Sequence, residues 1–223
     1  MLKLYNSKKA ARIIEQENGW IEALSHRYPL PPACVKAVLY KELRGIDIFD
    51  VVADWIVKAN WTRYALWQCL RRRGWVRSAG PLLRCGVFGK RDSSTGYGQI
   101  FGYVAINAIN FSLDRGLASA GSLDIPEDRR LSPDVPDDLR TIWYRLHNNA
   151  AFNIECVALN LLAAAEEMTG RIDFAHYTEE EMSLVFTRYN ASVKHITDYG
   201  REAYRCYMSF RLSERRSPAR REH

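Results

Sequence analysis

The stretch Ala151-Phe152-Asn153-Ile154-Glu155-Cys156-Val157-Ala158-Leu159-Asn160-Leu161-Leu162-Ala163-Ala164-Ala165-Glu166-Glu167-Met168 decides the fold class. Ile154, Val157, Ala158, Leu161, Leu162 and Ala165 recur at helical spacing and lay one apolar face along a helix. Gly170 follows, where such a helix stops. Toward the C-terminus, Thr178-Glu179-Glu180-Glu181 is a capping box with acids in the first turn. It predicts a helix to about Tyr189. A last helix is expected from Ile196 or Thr197 to Arg211. Toward the N-terminus, Leu139 to His147 and Val104 to Leu113 read as helices. Between them, the prolines, glycines and acids of Ala120 to Pro136 read as a surface excursion.

The N-terminal half has the same character. Ser7 to Arg27 reads as one helix, with Ile13, Ile14, Trp20, Ile21 and Leu24 available for an apolar face. Pro29, Pro31 and Pro32 end it. Pro32 also suits the first turn of a helix through Val35, Val38 and Leu39 to Leu43, which Gly45 terminates. Asp47 is placed to cap a helix from Ile48 to about Trp61. Thr62 to Arg73 reads as a further helix, stopped by Gly74. Gly80 to Gly102 is a glycine-bearing loop region. Strand signals are weak throughout and there is no internal repeat. The fold is therefore expected to be mainly α, a single domain over residues 1–213 with a flexible basic tail at 214–223.

At 223 residues and 47% hydrophobic content, the chain can bury one sizeable core. The net charge of +6 favours polyanionic partners such as nucleic acid, anionic lipid or cell wall, and equally serves solubility. Arg71-Arg72-Arg73 lies beside the aromatic residues between Trp55 and Trp75. That pattern can stack nucleic acid, but helices packing through their rings explain it more simply, and nucleic acid is not the expected partner. Cys34, Cys69, Cys85, Cys156 and Cys206 are odd in number and form no CxxC, so free thiols are expected, with a disulfide after export left open. His26, His147, His176 and His195 form no short-spaced set and HExxH is absent, so neither a metal nor a cofactor is expected. GxSxG and P-loop motifs are absent too. No apolar run reaches membrane-spanning length, and Met1 to Asn6 does not read as a leader. Synthesis in the cytoplasm is the expectation.

Chemistry concentrates in three places. Ser93-Ser94-Thr95-Gly96-Tyr97-Gly98-Gln99-Ile100 has two glycines flanking an aromatic, then a glutamine. Such a turn brings main-chain groups and one amide close to a ligand, or is a structural turn whose glutamine satisfies its own backbone. Glu42 continues the face that carries Val35, Val38 and Leu39. There it is either a helix-end carboxylate paired with Arg44, or an acid in a cleft floor whose apolar surroundings keep it protonated for general-acid work. Tyr189-Asn190 follows a helix and offers a hydroxyl and an amide.

Taken in order, these segments resemble the lysozyme-like transglycosylases, the group of soluble lytic transglycosylases and goose-type lysozyme. The matching residues are Glu42, Ser94 to Ile100, Asn153-Ile154 with its helix through Leu162, Arg188-Tyr189-Asn190-Ala191, and Tyr199-Gly200 with Tyr204. The likeness covers roughly Leu30 to Tyr207. Leu43 stands where the family often has serine. With Gly96 as the matching glycine, Tyr97-Gly98 replaces the family's hydrophobic pair ahead of Gln99. Ala191 and Ser192 occupy the place of a glycine after Tyr-Asn. The long interval between Glu42 and the loop implies an inserted helical hairpin, about Asp50 to Arg77.

The resemblance implies a lysozyme-like fold with an inserted helical segment, and a peptidoglycan-cleaving glycosidase: a lytic transglycosylase or a muramidase. Glu42 would protonate the glycosidic oxygen between N-acetylmuramic acid and N-acetylglucosamine. Tyr189 would orient that carboxyl or the substrate. Ser94, Gly96, Tyr97, Gly98, Gln99, Asn153 and Asn190 would form the substrate-binding wall. The substrate's own acetamido or 6-hydroxyl group could complete the reaction, or Asp92 or Asp47 could hold a water for hydrolysis. The alternative is a non-catalytic glycan-binding or cell-wall assembly protein on the same scaffold, which Leu43 and the altered glycine segment favour. Peptidoglycan glycan strands are the expected partner. Action in the periplasm or at the wall would need delivery, as for an antibacterial toxin with a secretion-system component or an immunity protein.

Overall fold

A computed structural model describes residues 3–76 and 89–216, the last two by backbone alone. The expected loop from Gly80 and the end of the expected tail, 217–223, lie in part or wholly outside these. Ten α-helices and one short 3-10 turn make up the described fold: α1 Ser7–Gln16, α2 Asn18–Arg27, α3 Pro32–Gly45, α4 Ile48–Arg72, α5 Gly102–Asp114, α6 Ala120–Leu123, α7 Pro136–Asn148, α8 Ala150–Thr169, α9 Glu179–Asn190 and α10 Asp198–Arg216. Among the described residues, β-structure is limited to two isolated bridges, Lys3 with Asp47 and Thr95 with Ile100.

The deciding stretch becomes the central helix. Asn149 caps α8 by accepting from the Phe152 amide, and Gly170 closes it in the left-handed conformation at φ 72°. Ile154, Val157, Ala158, Leu161, Leu162 and Ala165 are all fully buried. Around α8 pack α2, α3, α5, α7 and α9, and α10 lies over α3 and α9. Its buried Glu155 is not an orphan charge: it accepts from Arg27 Nη1 at 2.7 Å and from the Tyr28 hydroxyl at 2.8 Å. A buried carboxylate without such partners would be costly. At the next helix the capping box forms as the sequence predicts, with Thr178 and Glu181 each accepting from the other's amide.

Several boundaries differ from expectation for identifiable reasons. Ser7 to Arg27 is two helices with a break at Glu17, so that α1 packs on α3 while α2 reaches both α3 and α8. In place of the expected helical hairpin over about Asp50 to Arg77, the described residues carry a single helix, α4, of 25 residues. The Thr62 hydroxyl bonds back to the Lys58 carbonyl at 3.0 Å instead of capping a new helix. Val57, Trp61 and Tyr64 carry a buried stripe across that position onto Trp143 of α7. The excursion at Ala120 to Pro136 is pinned down: Leu123 and Leu131 are buried, and Arg129 makes a two-pronged ion pair with Asp138. Finally, α10 runs past Ser213 to Arg216, and Glu214 joins Lys36 at 2.8 Å, so the domain does not end at 213.

Helices α9 and α10 meet at Gly200. A Cβ there would lie 2.1 Å from Thr187 Oγ1 and 2.4 Å from the Ser183 carbonyl oxygen. Gly200→Ala is expected to lower stability by about 1–3 kcal/mol, a fall of roughly 3–9 °C in thermal unfolding. Gly19→Ala in α2 is the control, since nothing lies within 4 Å of its Cβ position. That variant should hold or raise the midpoint. Equal behaviour of the two would mean that the α9–α10 approach is looser than described.

Candidate active site

Glu42 sits in the last turn of α3, where the Ile46 amide bonds to its carbonyl at 3.1 Å. Its side chain lines a groove of about 480 Å³. Three other segments meet there: Ser94, Gln99 and Phe101 from the loop, Asp50 from the first turn of α4, and Arg188, Tyr189 and Asn190 from the end of α9. Helix ends therefore build much of the site, because a helix terminus can place a side chain at the edge of a core without burying it fully.

The electrostatics of Glu42 follow from that position. Burial pushes its carboxyl up to about 7, and the Asp50 charge adds to the rise. Opposing this, the Tyr199 hydroxyl donates to Glu42 Oε1 at 2.5 Å and the Lys41 ammonium lies nearby. Lys41 is itself paired with Glu202. Burial and the Glu42 charge hold the Tyr189 and Tyr199 phenols well above their ordinary range, so both remain hydrogen-bond donors. Glu42 can thus carry a proton near neutrality and give it to a group in the groove.

The loop is held by a buried side chain. Asn153 of α8 is 0% exposed. Its Oδ1 accepts from the Gly98 amide at 2.8 Å, and its Nδ2 donates to the Thr95 and Leu146 carbonyls at 3.0 and 3.3 Å. The glycines exist for this approach. A Cβ at Gly96 would sit 2.2 Å from Asn153 Nδ2, and one at Gly98 would sit 2.1 Å from Val157 Cγ2. Gly96 also takes φ 71°, which favours glycine. Gln99 has φ 44° despite carrying a side chain. Its amide donates to the Gly96 carbonyl at 2.9 Å, which holds the amide in place at the groove wall. The strain is of the kind found where a side chain must face a site.

A second clamp grips the same loop from α4 and α7. Asp54 accepts from Ser93 Oγ and from Thr95 Oγ1, each at 2.7 Å. Thr95 Oγ1 also lies 3.0 Å from His147 Nδ1, and the Trp143 indole donates to Ser93 Oγ at 3.1 Å. Helix α4 therefore supports the loop rather than standing apart as an appendage.

Of the residues expected to act, Glu42, Ser94, Gln99, Tyr189 and Asn190 come together around one groove. Several expected roles are corrected by position. Asn153 is sealed in the core and staples the loop, so it does not bind substrate. Gly96 and Gly98 serve that same staple and do not line the groove. Tyr97 packs against the core, near Glu17 and Tyr5, and is likewise outside the groove lining. Tyr189 does not hold the carboxyl; its hydroxyl donates to the Gly98 carbonyl at 2.7 Å, and Tyr199 holds Glu42 instead. Asp47 and Asp92 are committed to capping, Asp47 to the Phe49 amide and Asp92 to the Gly102 and Tyr103 amides. The second carboxylate in the groove is Asp50, which completes the α4 capping box by accepting from the Asp47 amide at 2.9 Å and whose only sequence signal was its place three residues after a capping aspartate. Phe101 and Tyr103, whose ring centroids are 5.7 Å apart, form an exposed aromatic edge of the groove that sequence reading passed over.

Among the described residues no cluster of three or more His, Cys, Asp or Glu side chains is placed to hold a metal ion. Cys34, Cys69, Cys156 and Cys206 are unpaired thiols; Cys85 lies outside the described residues. No described helix is long and apolar enough to cross a membrane. No family model, curated protein or solved structure matches the chain.

Proposed function

We propose that this chain is a peptidoglycan-cleaving glycosidase, a lytic transglycosylase or muramidase on a lysozyme-like scaffold, with Glu42 as its general acid and base. One observation carries the reading. A carboxyl pushed up to about 7 opens into a groove walled by the amides of Gln99 and Asn190 and the aromatic pair Phe101 and Tyr103. Aromatic edges and amides suit a sugar chain, whose faces are apolar and whose acetamido groups hydrogen-bond.

In this mechanism protonated Glu42 gives its proton to the glycosidic oxygen between N-acetylmuramic acid and N-acetylglucosamine. The C–O bond breaks and positive charge develops on the muramic-acid carbon. Glu42, now a carboxylate, then takes a proton from the oxygen that attacks. If that oxygen is the sugar's own 6-hydroxyl, the product is an anhydro sugar; if it is water, the product is a reducing end. Tyr199 holds the carboxyl in either role. Asp50 supplies a second negative charge at the groove, which favours the cationic intermediate.

Turbidity loss of purified peptidoglycan, followed by mass analysis of the released muropeptides, tests the reading. Clearing with anhydro products identifies a transglycosylase, and clearing with reducing ends a muramidase. Saturable binding to the wall with no released fragments would sink the enzyme and leave a glycan-binding protein.

A further inference from the structure

At the end of α4 remote from Glu42, two adjoining grooves open. The larger, about 660 Å³, is lined by Trp67, Arg71 and Arg72 of α4, by Arg91 of the loop ahead of Ser93, and by Asp137 in the first turn of α7. The smaller, about 390 Å³, shares Arg72 and adds Arg73 and Arg140. A helix C-terminus attracts cations, which accounts for arginines at positions 71 to 73. It does not account for Arg91 and Arg140, which arrive from two other segments of chain.

The guanidiniums are prepared for an anion. Arg71 lies 5.4 Å from the Trp67 ring centroid, and Arg91 lies 5.5 Å from that of Tyr64. Stacking on a ring fixes the plane of a guanidinium and leaves its N–H edge free to grip an oxyanion. Among the described residues, Arg71, Arg72, Arg73 and Arg91 form no ion pair. The carboxylate in the larger groove, Asp137, sits 3.3 Å from Arg140. The cluster is therefore strongly and locally positive.

The rings also limit what can bind. Tyr64 is 8% exposed, with its edge on Trp61, and Trp67 already carries Arg71. Both rings of the larger groove are engaged by guanidiniums, so that groove reads charge. Trp75, 71% exposed with Arg73 5.7 Å from its ring centroid, is where a base could stack, and comparison with DNA separates the two. The succession of the grooves suits an anion that repeats along a chain, and arginine forks match phosphate oxygens in pairs.

We propose that these two grooves form a binding site for a base-free phosphodiester chain, a polyol or sugar phosphate polymer, gripped by Arg71, Arg72 and Arg91 and continued by Arg73 and Arg140. This site is separate from the Glu42 groove and does not rest on the glycosidase reading. Bound there, the polymer would tether the protein to a surface that carries it.

The test is fluorescence anisotropy of the full chain with labelled poly(glycerol phosphate), beside single-stranded DNA of equal phosphate number. Saturable binding to the polyol phosphate is expected. With about three phosphate contacts, a four-fold rise in salt should weaken it roughly 20-fold. The double variant Arg71→Gln, Arg91→Gln should lose at least about ten-fold in affinity, and Arg71→Lys, which keeps the charge but not the fork, should fall between. Thermal unfolding checks the variants. Should the double variant be unfolded, Arg73→Gln with Arg140→Gln gives a second reading, with a loss of several-fold expected. Absence of binding at low salt, parental affinity in the folded variants, or tighter binding to the DNA would each overturn the proposal. The readout is a soluble polymer, so a failure of the wall-lysis assay leaves it untouched.

Discussion

Replacing Glu42 with glutamine is expected to cut the release of muropeptides by about 10²–10⁴-fold while leaving the fold intact. Glutamine keeps an oxygen that can accept from Tyr199, but it has no proton to give. The same change should stabilise the protein in alkali. The carboxyl is pushed up to about 7 in the folded chain against an ordinary value of 4.5. A carboxyl raised by folding contributes stability that is fully present below its unfolded value and lost as pH rises through the folded one. At pH 4, below the unfolded value, parent and variant should therefore unfold at similar temperatures. Above pH 8 the variant should be the more stable, by about 1–3 kcal/mol; the full shift sets the upper end, and water in the groove lowers it. Parental lysis by the variant would remove Glu42 from the chemistry. A stability difference that did not grow between pH 4 and pH 8 would mean that the carboxyl is not held in a desolvated place.

The second large effect belongs to Asn153. Truncation to alanine should lower stability by about 3–5 kcal/mol, because the Gly98 amide and the Thr95 and Leu146 carbonyls would lose their partner inside the core. That predicts a fall of roughly 10 °C or more in thermal unfolding. Aspartate should rescue little, since it keeps the acceptor for Gly98 but turns a donor into an acceptor facing two carbonyls. Lysis should fall as well, because the loop presenting Ser94 and Gln99 would lose its anchor. Asn190→Ala, at an exposed position of the groove rim, should leave the melting temperature in place. Comparable melting of the two variants would show that Asn153 is not the staple.

These outcomes divide by how far along the chain each interaction reaches. The helix of Ala151 to Met168, the box at Thr178 and Glu181, the Pro32 start and the weight of helix over strand were legible, because each rests on residues within a turn or two of one another. Glu42 was legible as a candidate because three apolar neighbours placed it on a face. What was misread depended on partners far away. Asn153 looks like a groove residue in a motif, yet its neighbour 55 positions earlier turns it into the core. Thr62 looks like a helix start, yet a stripe packed on Trp143 carries α4 straight through it.

Local patterns in the chain thus settled the helical character, most helix ends and the short set of residues worth testing, since periodicity and capping act over a few residues. Which carboxyl lost its water, which tyrosine grips it and which asparagine holds the loop were settled by packing. Burial and hydrogen bonds between α3, α8 and α10 belong to no stretch of sequence, and Tyr199 reaches Glu42 across 157 positions of chain.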